Sequence, residues 1–224
     1  MHGAMVAAAI SAAVIVSGCT RLSDGLPTAG LDAQAPVSAP APTSQAPTDD
    51  PDYPVPGLVA TTQPPQPCAP PDSITAPVVA QVSDPGAPTV TIGVPDGWSM
   101  SSGGADPEGA RLRGPEAMWA TVTISQTPLG PAAAFRQYED DLTDGASVST
   151  MSLLPGELCS YSGQRLMGIL SDGHETVQYE DRIVHVPGSP QDYLIAVHVQ
   201  AASGTPGFDE AASQLTADFE IGLP

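Results

Sequence analysis

The sequence predicts an α+β domain, an antiparallel β-sheet flanked by helices, carried behind a proline-rich N-terminal segment. Three observations lead there. Apolar and polar residues alternate over several short runs, and two other segments place apolar residues on one stripe at helical spacing. Prolines crowd the first part of the chain, with sixteen of the 26 before Thr89. The order of patterns is strands, helix, strands, helix, which segregates into sheet and helix layers rather than alternating β–α units.

The first clear strand is residues 89–94 (TVTIGV), where Val90, Ile92 and Val94 share a face. Pro95-Asp96-Gly97-Trp98 turns the chain and delivers an indole. Residues 118–125 (MWATVTIS) alternate again, with Met118, Ala120, Val122 and Ile124 pointing inward. A helix follows with Pro131 in its first turn, where a missing N–H is harmless. Phe135, Tyr138 and Leu142 form its apolar stripe, Glu139, Asp140, Asp141 and Asp144 are expected to face out, and Gly145 ends it.

Four strand-like runs come next, at 147–154, 164–170, 176–186 and 192–201. Turn sequences at 171–173 (SDG) and 187–190 (PGSP) separate the last three, which reads as an antiparallel meander. In the closing helix Thr205 is the expected cap and Pro206 the first residue. Asp209 and Glu210 suit the positive helix start. Phe208, Ala211, Ala212, Leu215 and Phe219 make its apolar stripe.

The N-terminus carries an export address. Residues 5–18 (MVAAAISAAVIVSG) are one uncharged apolar run, shorter than the about 20 residues of a membrane span but suited to a secretory signal. The run ends Val16-Ser17-Gly18-Cys19, a lipobox arrangement. A thiol takes the diacylglycerol as a thioether, and small residues before it fit the signal peptidase. The expected organisation is therefore a signal peptide over 1–18, a disordered Pro-rich linker over 19–71 and a folded domain over 72–224. The linker is Pro, Ala, Ser, Thr, Gln and Asp, too poor in apolar groups to offset the entropy of ordering, and proline biases it toward an extended spacer. Its Pro64-Pro65-Gln66-Pro67 matches a PxxP ligand, and its Ser/Thr/Pro mix suits O-glycosylation. Residues 1–4 hold no Lys or Arg, a departure from the usual signal pattern.

With 25 acidic residues, six arginines and no lysine, the formal charge is −19. Such a surface repels phosphate backbones, which excludes nucleic acid, and it opposes direct docking on anionic lipid. The composition points to a GC-rich genome such as an actinobacterium. If Cys19 is lipidated, Cys68 and Cys159 remain, and an even pair in an exported chain reads as a disulfide.

Catalytic and metal chemistry find little support. His174 lies in a turn beside Asp172 and Glu175. His185 shares a face with Val177, Tyr179 and Ile183, and His198 sits opposite the face of Tyr193, Ile195 and Val197. No pair has zinc-ligand spacing. There is no Gly-x-Ser-x-Gly elbow, and nothing pairs Ser160 or Ser162 with His174. The acidic run from Glu139 lacks the spacing of a calcium loop. Gly103-Gly104 precedes no helix bearing a lysine. No catalytic residue, metal or cofactor is therefore expected. Trp98 and Trp119 are the candidate partner-binding residues, since Trp is enriched at binding hot spots.

Together, Cys19 with its Pro-rich stalk, the strand running into Pro95-Asp96-Gly97-Trp98, residues 118–125 with the helix after them, Asp181-Arg182-Ile183-Val184, and residues 193–199 resemble the LpqN/LpqT family of mycobacterial lipoproteins, which includes proline-rich antigens. The resemblance spans about residue 72 to the C-terminus. It implies a Mog1/PsbP-like α/β/α sandwich on the outer side of the plasma membrane, with no shared catalytic motif. The expected function is a non-enzymatic binding or scaffolding lipoprotein of the cell envelope, anchored to the membrane through Cys19 or partly shed. Its partner would be an exported or host protein, or an envelope glycan or lipid. The alternatives are a lipid or small-ligand carrier and, behind it, an envelope hydrolase.

Overall fold

A computed structural model describes residues 54–60, 64, 66–69 and 76–224. Ten strands and two helices follow one another as β1 (Pro77–Ala80), β2 (Thr89–Gly93), β3 (Ser99–Gly103), β4 (Glu108–Arg113), β5 (Trp119–Thr127), α1 (Pro131–Thr143), β6 (Val148–Pro155), β7 (Ser162–Ser171), β8 (Thr176–Val186), β9 (Asp192–Ala202), α2 (Phe208–Leu215) and β10 (Glu220–Gly222), with a short 3₁₀ turn at Pro115–Ala117. The signal peptide, Cys19 and most of the expected linker lie outside the described residues.

The strands form two antiparallel sheets rather than one. The larger has seven strands in the order β3-β4-β5-β9-β8-β7-β6, and the smaller has three in the order β1-β2-β10. The α+β expectation therefore holds, but the strand expected at 89–94 belongs to the separate small sheet. Its alternation reported one buried face correctly, since Val90, Ile92 and Val94 are all buried. Alternation says nothing about which strands pair with it. Its partners β1 and β10 are four and three residues long, too short to show a period.

The large sheet separates two cores because side chains alternate along each strand. On one face Ala120, Val122 and Ile124 of β5 and Ile195, Val197 and Val199 of β9 meet α2 and the small sheet, with Phe208, Leu215, Val90, Ile92 and Ile221 among the residues that fill the space. On the other face α1 brings Phe135, Tyr138 and Leu142 onto Leu166, Tyr179, Ile183 and Ala196. The meander of β6 to β9 follows the expected runs within one or two residues at either end.

Two local expectations are corrected, and one unassigned stretch gains structure. Thr205 does not cap α2: Gly207 at φ +77° is the N-cap, and the Thr205 hydroxyl donates back to Ala202 O at 2.7 Å. Glu139 does not face out; it is half-buried, with its Oε1 enclosed and without a hydrogen-bond partner. Residues 99–113, unassigned from sequence, form the β3–β4 hairpin.

Packing also begins ahead of Asp72. Val59 N donates to Ser162 Oγ at 2.9 Å and Gln164 Nε2 donates to Pro56 O at 3.1 Å. The Tyr161 hydroxyl donates to Gln66 O at 2.6 Å and accepts from Gln66 N at 3.1 Å. Cys68 pairs with Ile221 as a two-bond bridge and with Cys159 as a disulfide, Cα–Cα 5.8 Å. Backbone groups of this proline-rich segment are satisfied by the domain, some by side chains and some by the backbone of Gly163 and Ile221.

Candidate functional site

Trp98 and Trp119 lie on opposite faces of the large sheet and belong to two different sites. The turn carrying Trp98 closes through Trp98 N donating to Pro95 O at 3.2 Å, with Gly97 at φ +80° supplying the left-handed conformation that an L side chain disfavours. The indole lies flat over Gly114, where a Cβ would overlap its ring atoms. It is partly buried against the main core.

Beside it opens a groove of about 490 Å³ between this turn and the start of α2, lined among others by Pro95, Trp98, Met118, Pro206 and Gln214. It exceeds the depression of about 330 Å³ beside Asp84 and Tyr193. The lining carries two carboxylates, Asp96 and Glu210, and no basic group. A concavity in which one indole, prolines and a methionine meet two carboxylates and an amide offers both apolar and polar contacts to a ligand.

The second site is a polar network under α1. Asp181, fully buried on β8, accepts from Tyr138 of α1 at 3.1 Å through Oδ2 and faces His198 Nδ1 of β9 at 2.6 Å through Oδ1. The other imidazole nitrogen, Nε2, meets Gln200 Oε1 at 3.2 Å. Two oxygen acceptors on two ring nitrogens are satisfied in full by the imidazolium. Burial opposes that charge, but the Asp181 carboxylate and the hydrogen bonds to it outweigh burial and hold the His198 pKa above its ordinary value. Burial, with Asp181 and Glu139 nearby, pushes Tyr179 up to about 12. Burial likewise raises Glu139, with Asp140 adding to it. Trp119 covers the network's edge, its ring 5.1 Å from that of His198, with the Arg111 guanidinium 5.9 Å from its centroid. Trp119 thus packs a tilted imidazole on one side and meets the Arg111 guanidinium, a cation–π contact worth about 0.5–1 kcal/mol at an exposed site.

The remaining candidates separate. His174 is exposed in its turn, where its N–H donates to Asp172 Oδ1 at 2.8 Å. His185 is buried, with Nε2 3.0 Å from Leu129 O. Ser162 Oγ is engaged by Val59. Among the described residues, no group of three or more His, Cys, Asp or Glu is arranged to hold a metal ion. The Asp181–His198–Tyr138 network was not anticipated. The signal for it existed: the 187–190 turn sets a hairpin register in which Asp181 opposes His198.

No family model matches this chain, and no curated protein matches it in sequence. Among solved structures, it is similar to that of LpqN, described as involved in cell envelope biogenesis of Mycobacterium tuberculosis. The two are 18% identical, superpose with a TM-score of 0.52, and align over 66% of this chain and 90% of that one. What the chain shares with this cell-envelope protein is its fold.

Proposed function

We propose that the chain is a lipid-anchored, non-enzymatic binding or scaffolding module on the outer side of the plasma membrane, held by Cys19 and reading its partner through the Trp98 groove. The observation that carries this reading is the groove itself: an indole packed on Gly114, with prolines, a methionine and two carboxylates in the lining. A rigid aromatic anchor in a preformed concavity gives affinity with little ordering entropy.

The two carboxylates of the lining, with no basic group beside them, favour an exported protein or envelope component that presents a cation beside an apolar group. The lipobox at Val16-Ser17-Gly18-Cys19 supports the anchor, since each buried methylene of an acyl chain contributes about 0.8 kcal/mol. The envelope role described for the LpqN structure supports the compartment. Helices on both faces of the large sheet favour the Mog1/PsbP-like sandwich. The second nitrogen of His198 is held by Gln200, which favours a structural role for the Asp181–His198 pair over nucleophile activation.

The test is a photo-crosslinking residue at Gln214 in the full chain, irradiated in intact cells, with captured molecules identified by mass. A defined partner captured by the wild-type groove and lost on Trp98→Ala is the expected result. The same capture from both forms overturns the groove as the site. Detergent partitioning of wild type against Cys19→Ser tests the anchor separately.

A further inference from the structure

We infer that the chain pairs with a second copy of itself through strand β6, joining two seven-stranded sheets edge to edge. This inference is independent of the Trp98 groove. β6 is an outer strand of the large sheet, eight residues long and almost wholly exposed, and it pairs with β7 in unbroken register. The opposite edge, β3, is five residues long and interrupted by a register shift between Met100 and Ser102. Edges are ordinarily blunted by such bulges, by short length or by charge. β6 has only Pro155 at its end. Its sequence, VSTMSLLP, contains no charged residue in a chain of net charge −19.

The exposed apolar groups gather at this edge. Val148 is 61% exposed, Leu154 45%, Leu153 37% and, on the adjoining β7, Ile169 40%. Isolated exposed apolar residues are ordinary; a cluster beside a strand edge that no other strand pairs with among the described residues marks an interface.

The partner must be an uncharged extended strand, and β6 fits itself. Gly156 N donates to Gly163 O at 2.9 Å, so the even-numbered residues of β6 turn their backbone toward β7 and the odd ones turn it outward. Ile169 N reaching Thr150 Oγ1 at 3.1 Å agrees with that parity. A two-fold axis at Met151 then sets Ser149 against Leu153 and Met151 against Met151, each an outward hydrogen-bonding pair, giving about six main-chain hydrogen bonds. Side-chain faces are kept in this register. Val148 of one copy lies opposite Leu154 of the other, on the face that carries Ile169, as a close non-hydrogen-bonded pair. The same patch serves both copies, as a two-fold interface requires. β6 carries no carboxylate, so two copies approach along it without opposing like charges.

The register makes a specific test. Full chains carrying Val148→Cys and Leu154→Cys are produced together and oxidised with copper–phenanthroline. The expected product is a disulfide-linked mixed dimer, with each single variant alone giving at least tenfold less. Within one chain the two positions are about 20 Å apart, beyond disulfide reach. Equal dimer from a single variant, no mixed dimer, or a bond to a different polypeptide overturns the inference. As a second measurement, the mass of the wild-type full chain in mild detergent should be twice that of Val148→Lys. A wild-type monomer, or a dimer unchanged by Val148→Lys, overturns it equally. Val148 is the most exposed of these residues, so its substitution leaves both cores intact.

Discussion

Asp181 and His198 face each other across β8 and β9, Oδ1 to Nδ1 at 2.6 Å, with the carboxylate fully buried and the imidazole nearly so. A buried carboxylate is tolerated only when charge and hydrogen bonds compensate it. Here the compensation comes from three directions: the sheet through His198, α1 through Tyr138, and Gln200 at the far side of the ring. The pair therefore ties the helix to the sheet.

The first prediction is a pH dependence. His198 is raised in the folded state above its ordinary value near 6.5. Its contribution to stability is then complete below about pH 6.5 and is lost as pH rises through the folded-state value. Thermal unfolding followed by circular dichroism between pH 5 and 9 should show a midpoint falling across that window. His198→Gln should be less stable at low pH and flat across the same window.

Tyr138→Phe removes one donor from the buried Asp181 carboxylate and leaves the ring in place. Hydrogen bonds to charged groups contribute about 1.5–3 kcal/mol, so chemical denaturation should report a loss of that size. A loss smaller than about 0.5 kcal/mol, the ordinary scale of a neutral surface change, would mean that α1 is held by apolar packing alone.

Glu139 lies on the same helix with its Oε1 enclosed and unpartnered. Burial raises its pKa in the folded state, so the carboxylate opposes folding at neutral pH. Glu139→Gln keeps a polar group there but removes the buried charge, so it should stabilise the protein at pH 7 by about 0.5–1 kcal/mol. The gain should shrink on acidification, as the wild-type carboxyl becomes protonated.

The Cys68–Cys159 disulfide spans a sequence separation of 91 residues. Closing a loop of that length removes chain entropy equivalent to about 4–5 kcal/mol from the unfolded state. Cys159→Ser should lower stability by up to that amount. Hydrogen exchange should also speed at the Cys68–Ile221 bridge, which the disulfide holds against the small sheet.

Gly114→Ala places a methyl group where the Trp98 ring lies. Overpacking of this kind costs about 1–3 kcal/mol. The expected signature is a red-shifted Trp98 fluorescence, read in a Trp119→Phe background, together with loss of groove-dependent crosslinking. Unchanged emission would show that the indole is not seated as described.

Local patterns were legible wherever a segment buries one face. The four late strands, the Met118–Ile124 alternation and both apolar helix stripes follow from periods of two and 3.6. The Cys68–Cys159 disulfide followed from pairing the two thiols left when Cys19 is set aside. Of the candidate binding residues, the turn before Trp98 was legible, because Pro and Gly dictate it, but the groove beside it was not. Pro206 and Gln214 reach Trp98 only after α2 has folded back over the sheet. Glu139 was misread for a similar reason, since helical spacing puts it at the border of the apolar stripe and only the packing of α1 on Tyr179 decides its side.

What the sequence determined by itself is everything set by neighbours along the chain: the element types and the inward face of each strand. What only the tertiary structure decided is everything set by partners distant in sequence. That includes the division into two sheets, the anchoring of 54–60 and 66–69, the Asp181–His198–Tyr138 network and, among the described residues, the outer edge of β6. The physical reason is that periodicity states how a strand orients its side chains, while pairing depends on register and on which backbone groups are left for another strand to satisfy.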